Sequence, residues 1–477
     1  MPKTTREPNL GQQLTPAQRT VLSVYLRDYY SQYHYPRTLD SETYWSTESG
    51  REVGEVVDYW IRVERGSASV AFGKTRVDQS DDQVTKYSAV ATLLPWPRTV
   101  LTISNQNIGF SPARTLTLVN LPCSLASFDG QIRLSEPLDT ADASLFRCLK
   151  QVNSLDVRCS SRSIMTDDAF HHLTNLHSLD LTMCYQSIAD KVFRHLTLTN
   201  LKSLSINDCT QSTITDEVFR HLSNLKTLNM NGCNQSTITD RAFYHLTNLQ
   251  FLSIGECNQS TITDEAFRPL TNVKALKVNG CDQSTITDRA FHYLKNLQSL
   301  SIRGCVQSTI TNEAFRLSTN LQSVDMVRCR QPEITDEVFR HLAHATFLDI
   351  SGCTQLTITD GAFRHLTNLK ALIMEECNQS TITDRAFCHL SRLLFLRMGG
   401  CDQTTISGEA FRHLAGLQFL SLGRNDIFQF MSSKITEDAF YHLGKLCILE
   451  FREFGQPILT DQALRHLTNL ESVLTPS

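Results

Sequence analysis

Residues 225–248 read LKTLNMNGCNQSTITDRAFYHLTN, and this 24-residue unit recurs along most of the chain. Cys209, Cys233, Cys257, Cys281, Cys305, Cys329, Cys353, Cys377 and Cys401 are each 24 residues apart. The typical unit is LxxLxIxxCxQSTITDxAFRHLTN. A fixed period of this length marks a stacked array, in which each unit is one supersecondary element and neighbours close its apolar faces.

Within LxxLxI the apolar residues alternate, as in a strand with one buried face. Leu228 and Met230 are expected to point inward, and Thr227, Asn229 and Asn231 outward. The chain must then turn. Cysteine is small and carries a weak S–H donor, so it fits inside that turn facing backbone carbonyls. Thr-Asp precedes AFRHL, which is a helix N-cap signal. Ala242, Phe243 and Leu246 place apolar groups on one side of a helix of about two turns, too short to persist alone in water. Stability therefore requires several stacked units, with parallel strands on one face and short helices on the other.

The irregular units keep the register. Ser160 takes the cysteine position in the unit of Leu155, with Cys159 one place off it. Leu179 to Leu204 spans 25 residues, with one residue lost in YQSI and two gained in LTLTNL. Asn425 takes the cysteine position near the end, and five extra residues follow within DIFQFMSSKI before the pattern resumes at Thr436. Phe454 takes it in the next unit, and the last unit stops at Val473, where a strand should begin.

The signature LxxLxLxxC followed by ITD, as in LQSLSIRGC at 297–305 and ITD at 262–264, resembles the cysteine-containing leucine-rich repeat, the F-box-associated or RNI-like subtype. The resemblance covers roughly residues 146–475. The unit is shorter than is usual for that subtype. Its regular AF motif is similar to the BspA-like repeats of bacterial surface proteins. The resemblance implies an α/β leucine-rich-repeat solenoid, a horseshoe with a concave parallel β-sheet and short convex helices, preceded by a small α+β N-terminal region. It also implies a non-enzymatic protein–protein interaction scaffold. A substrate-recognition subunit of a ubiquitin ligase is an alternative, as is a secreted or surface adhesion protein. Leu94-Pro95 matches the start of an F-box, but WPRTVLTISNQ does not continue it.

The N-terminal part differs in composition. Trp45, Trp60 and Trp96 all lie in the first 100 residues, with eight of the twelve tyrosines. Thr15-Pro16-Ala17-Gln18 is a capping-box pattern, which predicts a helix over about 16–33. VVDYWIRV and ASVAF are candidate strands. In RTLTLVNL, Leu116, Leu118 and Leu121 match the inward positions of a degenerate capping unit, and the loop-rich SFDGQIRLSEPLDTAD follows. The expected organisation is an N-terminal region at 1–110, a capping repeat and loop at 111–145, and the array at 146–477.

The formal net charge is -4 with 20% charged residues, which gives no electrostatic footprint for nucleic acid or anionic membrane. MPKTTREPNLGQQLTPAQ has no apolar run, and no stretch approaches the roughly 18 apolar residues of a membrane span. These features lead to the expectation of a cytoplasmic, monomeric array with reduced cysteines, whose partner is a protein.

No residue pattern points to catalysis, a cofactor or a metal. The histidine column of FRHL (His195, His221, His245, His341, His365, His389, His413, His466) is interrupted by Pro269, Tyr293 and Leu317. A single column does not converge on an ion. The outward strand positions are more informative. Most are small, as at Ser203, Ser205, Ser253, Ser299 and Ser301, but Phe251, Phe347, Phe395 and Phe419 are large, and Arg303, Arg328, Arg397 and Arg424 lie near strand exits. Aromatic residues with arginine are common in binding hot spots. The expected partner patch is Phe395, Arg397, Phe419 and Arg424, with Ile373, Glu375 and Glu376 beside it and Phe347 and Phe251 along the same row. Asn234-Gln-Ser, Asn258-Gln-Ser and Asn378-Gln-Ser match the N-glycosylation pattern, which a cytoplasmic protein would not use.

Overall fold

A computed structural model describes the strands at 57–64, 67–74, 100–106 and 131–135 as backbone. It also describes residues 153–156, 173–184, 201–210, 212–306, 308–401, 405–422, 435, 437–450 and 465–474. The chain divides into two units, residues 1–41 and 42–477, and the described residues belong to the second. The expected helix over 16–33, the capping positions Leu116, Leu118 and Leu121, and Arg424 lie outside the described residues.

The strands form one 18-stranded sheet in which each strand pairs with its neighbours in sequence. The first pair, Val57–Glu64 with Ser67–Lys74, is antiparallel, and both fall on the segments expected to be strands. Every later pair is parallel. Val100–Gln106 and Gln131–Ser135 join the ladder ahead of the first regular unit. The second of these corrects the reading of SFDGQIRLSEPLDTAD as loop. Its QIRLS core alternates as a strand does, but it lacks the LxxL and cysteine markers.

The register survives each irregular spacing. Ser178 pairs with Ser203 across the 25-residue unit, and Phe419 with Ile448 across the five-residue insertion. The final strand is Ser472–Leu474. The extra residues therefore do not shift the ladder, in which a one-residue slip would carry each central leucine to the wrong face.

Behind the sheet lies a continuous apolar core. The central strand leucines Leu204, Leu228, Leu252 and Leu276 are buried, as are Ile206, Met230, Ile254 and Val278 two places on. Phe219, Phe243, Phe267, Phe291, Phe315, Phe339, Phe363 and Phe387 are among the largest fully buried side chains of the described residues. Several of the helices are shorter than the two turns expected, while the 3₁₀ helices Asp384–His389, Gly408–His413 and Glu437–His442 reach two turns. Asp288–Phe291 is one α-helical turn, and Asp240–Phe243 is a 3₁₀ turn.

The polar consensus residues tie each unit to the one before it. The Cys209 thiol donates to Leu181 O at 3.1 Å, Cys233 to Ile206 O at 3.0 Å and Cys257 to Met230 O at 2.9 Å. This is the role the turn required of cysteine. Burial pushes these thiols up, Cys209 to about 11 and Cys257 to about 12. Thr263 caps its helix by accepting from Glu265 N at 3.2 Å. Asp264 then reaches to the next cap, where its carboxylate accepts from Thr287 N at 2.7 Å and from the Thr287 hydroxyl at 2.8 Å. The ITD motif is thus a cap and the lock on its neighbour's cap. Asn272 adds a side-chain bond to Thr247 O at 2.9 Å.

The turn after each strand holds one residue with positive φ. Gly232, Gly280, Gly304, Gly352 and Gly400 take this place in five units, and Met183, Asp208, Glu256, Arg328 and Glu376 in five others. At Gly232 a Cβ would stand 2.2 Å from Asp208 Oδ1, and at Gly352 2.8 Å from Arg328 Cγ. At these two turns the side chain of the preceding unit lies over the glycine, which leaves room for it.

Candidate partner-binding face

The outward strand residues form two rows across the sheet. In the first half, Ser203, Thr227, Phe251, Ala275 and Ser299 occupy one row. Ser205, Asn229, Ser253, Lys277 and Ser301 occupy the other. Asparagines at the strand exit lock this half together. Asn231 Oδ1 accepts from the Ser253 hydroxyl at 2.6 Å and from Gly255 N at 2.7 Å. Asn279 Oδ1 accepts from the Ser301 hydroxyl at 2.6 Å and from Arg303 N at 3.1 Å. Phe251 is the one bulky apolar residue named in these two rows, and Lys277 Nζ lies 5.9 Å from its ring centre.

The second half has a different surface. Phe347, Ala371, Phe395, Phe419 and Ile448 line the first row in register. The rings of Phe395 and Phe419 stack at 4.3 Å between centroids, 9° from parallel. In the second row, Arg397 Nε lies 2.9 Å from Glu375 Oε1 and its Nη2 lies 3.5 Å from Glu450 Oε2. The guanidinium thereby spans the strand of Ser421, whose side chain is fully buried. Burial pushes the Glu375 acid upward, against the pull of Arg397.

A second charged group sits between the halves. Arg303 Nε is 2.8 Å from Asp325 Oδ2, and Arg303 Nη2 is 3.7 Å from Asp349 Oδ2. The Asp349 side chain also accepts from Ser351 N at 2.9 Å and from the Ser351 hydroxyl at 2.7 Å. Burial and then the Asp325 carboxylate push Asp349 up to about 7. Two carboxylates share one guanidinium, so charge is under-compensated there.

The structure brings Ile373, Glu375, Phe395, Arg397 and Phe419 together on adjacent strands. Glu376 lies at the rim, 3.7 Å from Arg328. Phe347 is half-buried two strands away, and Phe251 lies in the other half of the sheet. The expectation that these large groups face open solvent holds only in part. Phe419, Glu375 and Glu376 are half-buried, but Phe395 keeps 9 % exposure, Arg397 8 % and Ile373 2 %. Sequence reasoning missed the roles of Asp325, Asp349 and Glu450. The available signal was an acidic residue at the outward strand position within reach of an arginine on a neighbouring unit.

The described histidines of the column stand on the helix side, with His221, His245, His389 and His413 exposed. Among the described residues, no group of three His, Cys, Asp or Glu side chains gathers where a metal ion could be held. No helix among the described residues is long and apolar enough to cross a membrane.

A model of the BspA type leucine rich repeat region matches residues 139–274 and 284–418, in six copies and over more than half of the chain. The chain belongs to the BspA-type leucine-rich-repeat family. This match bears out the leucine-rich-repeat resemblance and its BspA-like character. No curated protein matches the chain in sequence.

Solved structures share the fold. The Drosophila Toll–Spatzle complex matches at 17% identity and TM-score 0.54, covering 88% of this chain and 55% of that one. Its glycosylated form matches at 17% identity and TM-score 0.57, covering 87% and 56%. A TLR13–ssRNA13 complex matches at 20% identity and TM-score 0.49, covering 79% and 62%. The BspA-type chain spans about half the length of the Toll chains it matches.

These comparisons correct the expectation of a cytoplasmic protein. It was drawn from a missing apolar run near the first residue, whereas the family is BspA-type and the fold is shared with Toll, solved in a glycosylated form.

Proposed function

We propose that the array is a non-enzymatic interaction module. In this reading it binds a protein partner on the second half of its sheet face, centred on Phe395 and Phe419. The observation that carries this is the stacked pair, flanked by the Arg397–Glu375–Glu450 ion pairs, in a row where the first half has Ser203, Thr227, Ala275 and Ser299 with the single ring of Phe251. A leucine-rich-repeat sheet needs no aromatic ladder on its outer rows to fold, as the first half demonstrates. Large rigid groups held in place by neighbours lose little freedom on binding, and such residues dominate interface energies. Phe395 and Arg397 would serve as a fixed floor. Phe419, Phe347, Glu375, Glu376, Ile373 and Arg424 would shape the contact around it, with Phe251 a separate, weaker contact. Toll, with a related fold, is solved in complex with Spatzle, which supports protein recognition as a use of such an array.

A surface adhesion role is the second reading, favoured by the BspA-type match. Both readings place the contact on the sheet. The test is affinity capture followed by quantitative titration of the captured protein against wild type, Phe419→Ser and Glu376→Lys, with thermal melting to verify folding. Loss of about ten-fold or more in affinity is expected for Phe419→Ser, the magnitude of a single hot-spot residue. Unchanged affinity for both folded variants would remove the patch.

A further inference from the structure

We propose that Asn234, Asn258 and Asn378 are acceptors for N-linked glycans, carried on one flank of the solenoid. Each begins an Asn-Gln-Ser triplet immediately after a column cysteine. In all three the asparagine and the serine are exposed, while the glutamine between them is buried. The triplet lies in the turn that leaves the sheet and precedes the helix. A glycan there projects from the flank and leaves the outward strand rows uncovered.

The side-chain geometry suits the modification. Asn234 uses its Oδ1 to accept from Asn258 N at 2.6 Å, and Asn258 uses its Oδ1 to accept from Asp282 N at 3.3 Å. The Asn234 Nδ2 makes only a marginal 3.4 Å contact with Gly232 O. At Asn234 and Asn258 the structural bond is thus made by oxygen, and the nitrogen is the atom a glycan would take. Asp282, Val306, Arg330 and Thr354 occupy the same place in other units. The fold does not require asparagine there.

In the transfer, Nδ2 bonds to C1 of the first sugar of an oligosaccharide carried on a polyisoprenyl diphosphate. The C1–O bond to the diphosphate breaks, the amide gives up one proton, and the lipid diphosphate leaves. The product amide keeps Oδ1 and one N–H, so the bond to the next turn survives. Asn234 and Asn258 stand on adjacent rungs, spaced by roughly 4.8 Å at the sheet, and compete for space. Asn378 follows Glu376 by two residues and borders the proposed contact patch.

The full chain, expressed behind a secretory leader in a eukaryotic cell, is recovered from the medium. Intact mass is measured before and after peptide N-glycosidase F, with peptide mapping of the asparagine-to-aspartate conversion. Modification of Asn378 and of at least one of Asn234 and Asn258 is expected, with N234Q raising occupancy at Asn258. S380A should abolish modification of Asn378 without moving the melting midpoint. A secreted, folded chain with Asn378 unmodified would overturn the proposal, as would modification confined to unfolded protein.

Discussion

The two halves of the sheet share one back and carry two different fronts. From Ser203 to Ser301 the front is mostly hydroxyls and amides locked by Asn231 and Asn279, with the single ring of Phe251 and Lys277 beside it. From Phe347 to Glu450 it is stacked rings and ion-paired arginine. Behind both, the cysteine bonds, the aspartate–threonine locks and the phenylalanine column are nearly the same. The scaffold is therefore indifferent to what its outer rows carry, and a difference confined to those rows bears on contact rather than on folding.

The comparison breaks first if the backs are not equivalent. Phe267→Ala lies in the first half and Phe387→Ala in the second, and both remove fully buried rings. Each should cost about 3–5 kcal/mol, the usual range for such truncations, in urea unfolding followed by circular dichroism. A large effect in one half alone would show two scaffolds.

Asp349 sharpens the boundary between the halves. Its acid is raised to about 7, above its value near 3.9 in an unfolded chain. The folded state therefore holds a proton that the unfolded state has released between about pH 4 and 7, and stability falls as pH rises through that window. Asp349→Asn should flatten this fall by on the order of 1–3 kcal/mol. Melting curves of both proteins at pH 5 and pH 7.5 check it, and parallel pH dependence would contradict the assignment.

The aspartate locks should weigh equally on both sides. Asp264→Ala and Asp360→Ala each remove two hydrogen bonds to the next cap. A loss of about 1–2 kcal/mol is expected for each, comparable to a lost helix cap. The smallest effect should come from the turn glycine. Gly352→Ala sets a Cβ 2.8 Å from Arg328 Cγ at a positive φ, at a cost of about 1 kcal/mol. Arg328→Gly beside it should recover part of that loss in the same melting assay.

Most of the fold was legible in the sequence, because repetition multiplies weak signals. LxxLxI marked the strands, the cysteine spacing fixed the register from Cys209 to Cys401, and the pattern that resumes at Thr436 carried it past the insertion. The Gln131–Ser135 strand was not legible, since its pairing depends on neighbours and its sequence lacks the unit's markers. Helix length varies from four to six residues although the AF motif recurs, and the spacing of AFRHL alone did not distinguish the units that stop after one turn. At the candidate site, Phe395 and Phe419 stood out as large residues where small ones were usual. Their stacking follows from parallel register. The sharing of Arg303 by Asp325 and Asp349 does not, because it depends on how far one side chain reaches across two strands. The cytoplasmic expectation had no comparable physical basis, as it rested on something missing.

Hydrogen–deuterium exchange of the full chain, alone and with a captured protein partner, tests the central claim most directly. Binding on the second half predicts slowed exchange in the strands Ala371–Ile373, Phe395–Arg397 and Phe419–Ser421, with little change in Ser203–Ser205, Thr227–Asn229 and the helix-side turns. Protection confined to the first half or to the helices, with none between Ala371 and Ser421, would contradict it.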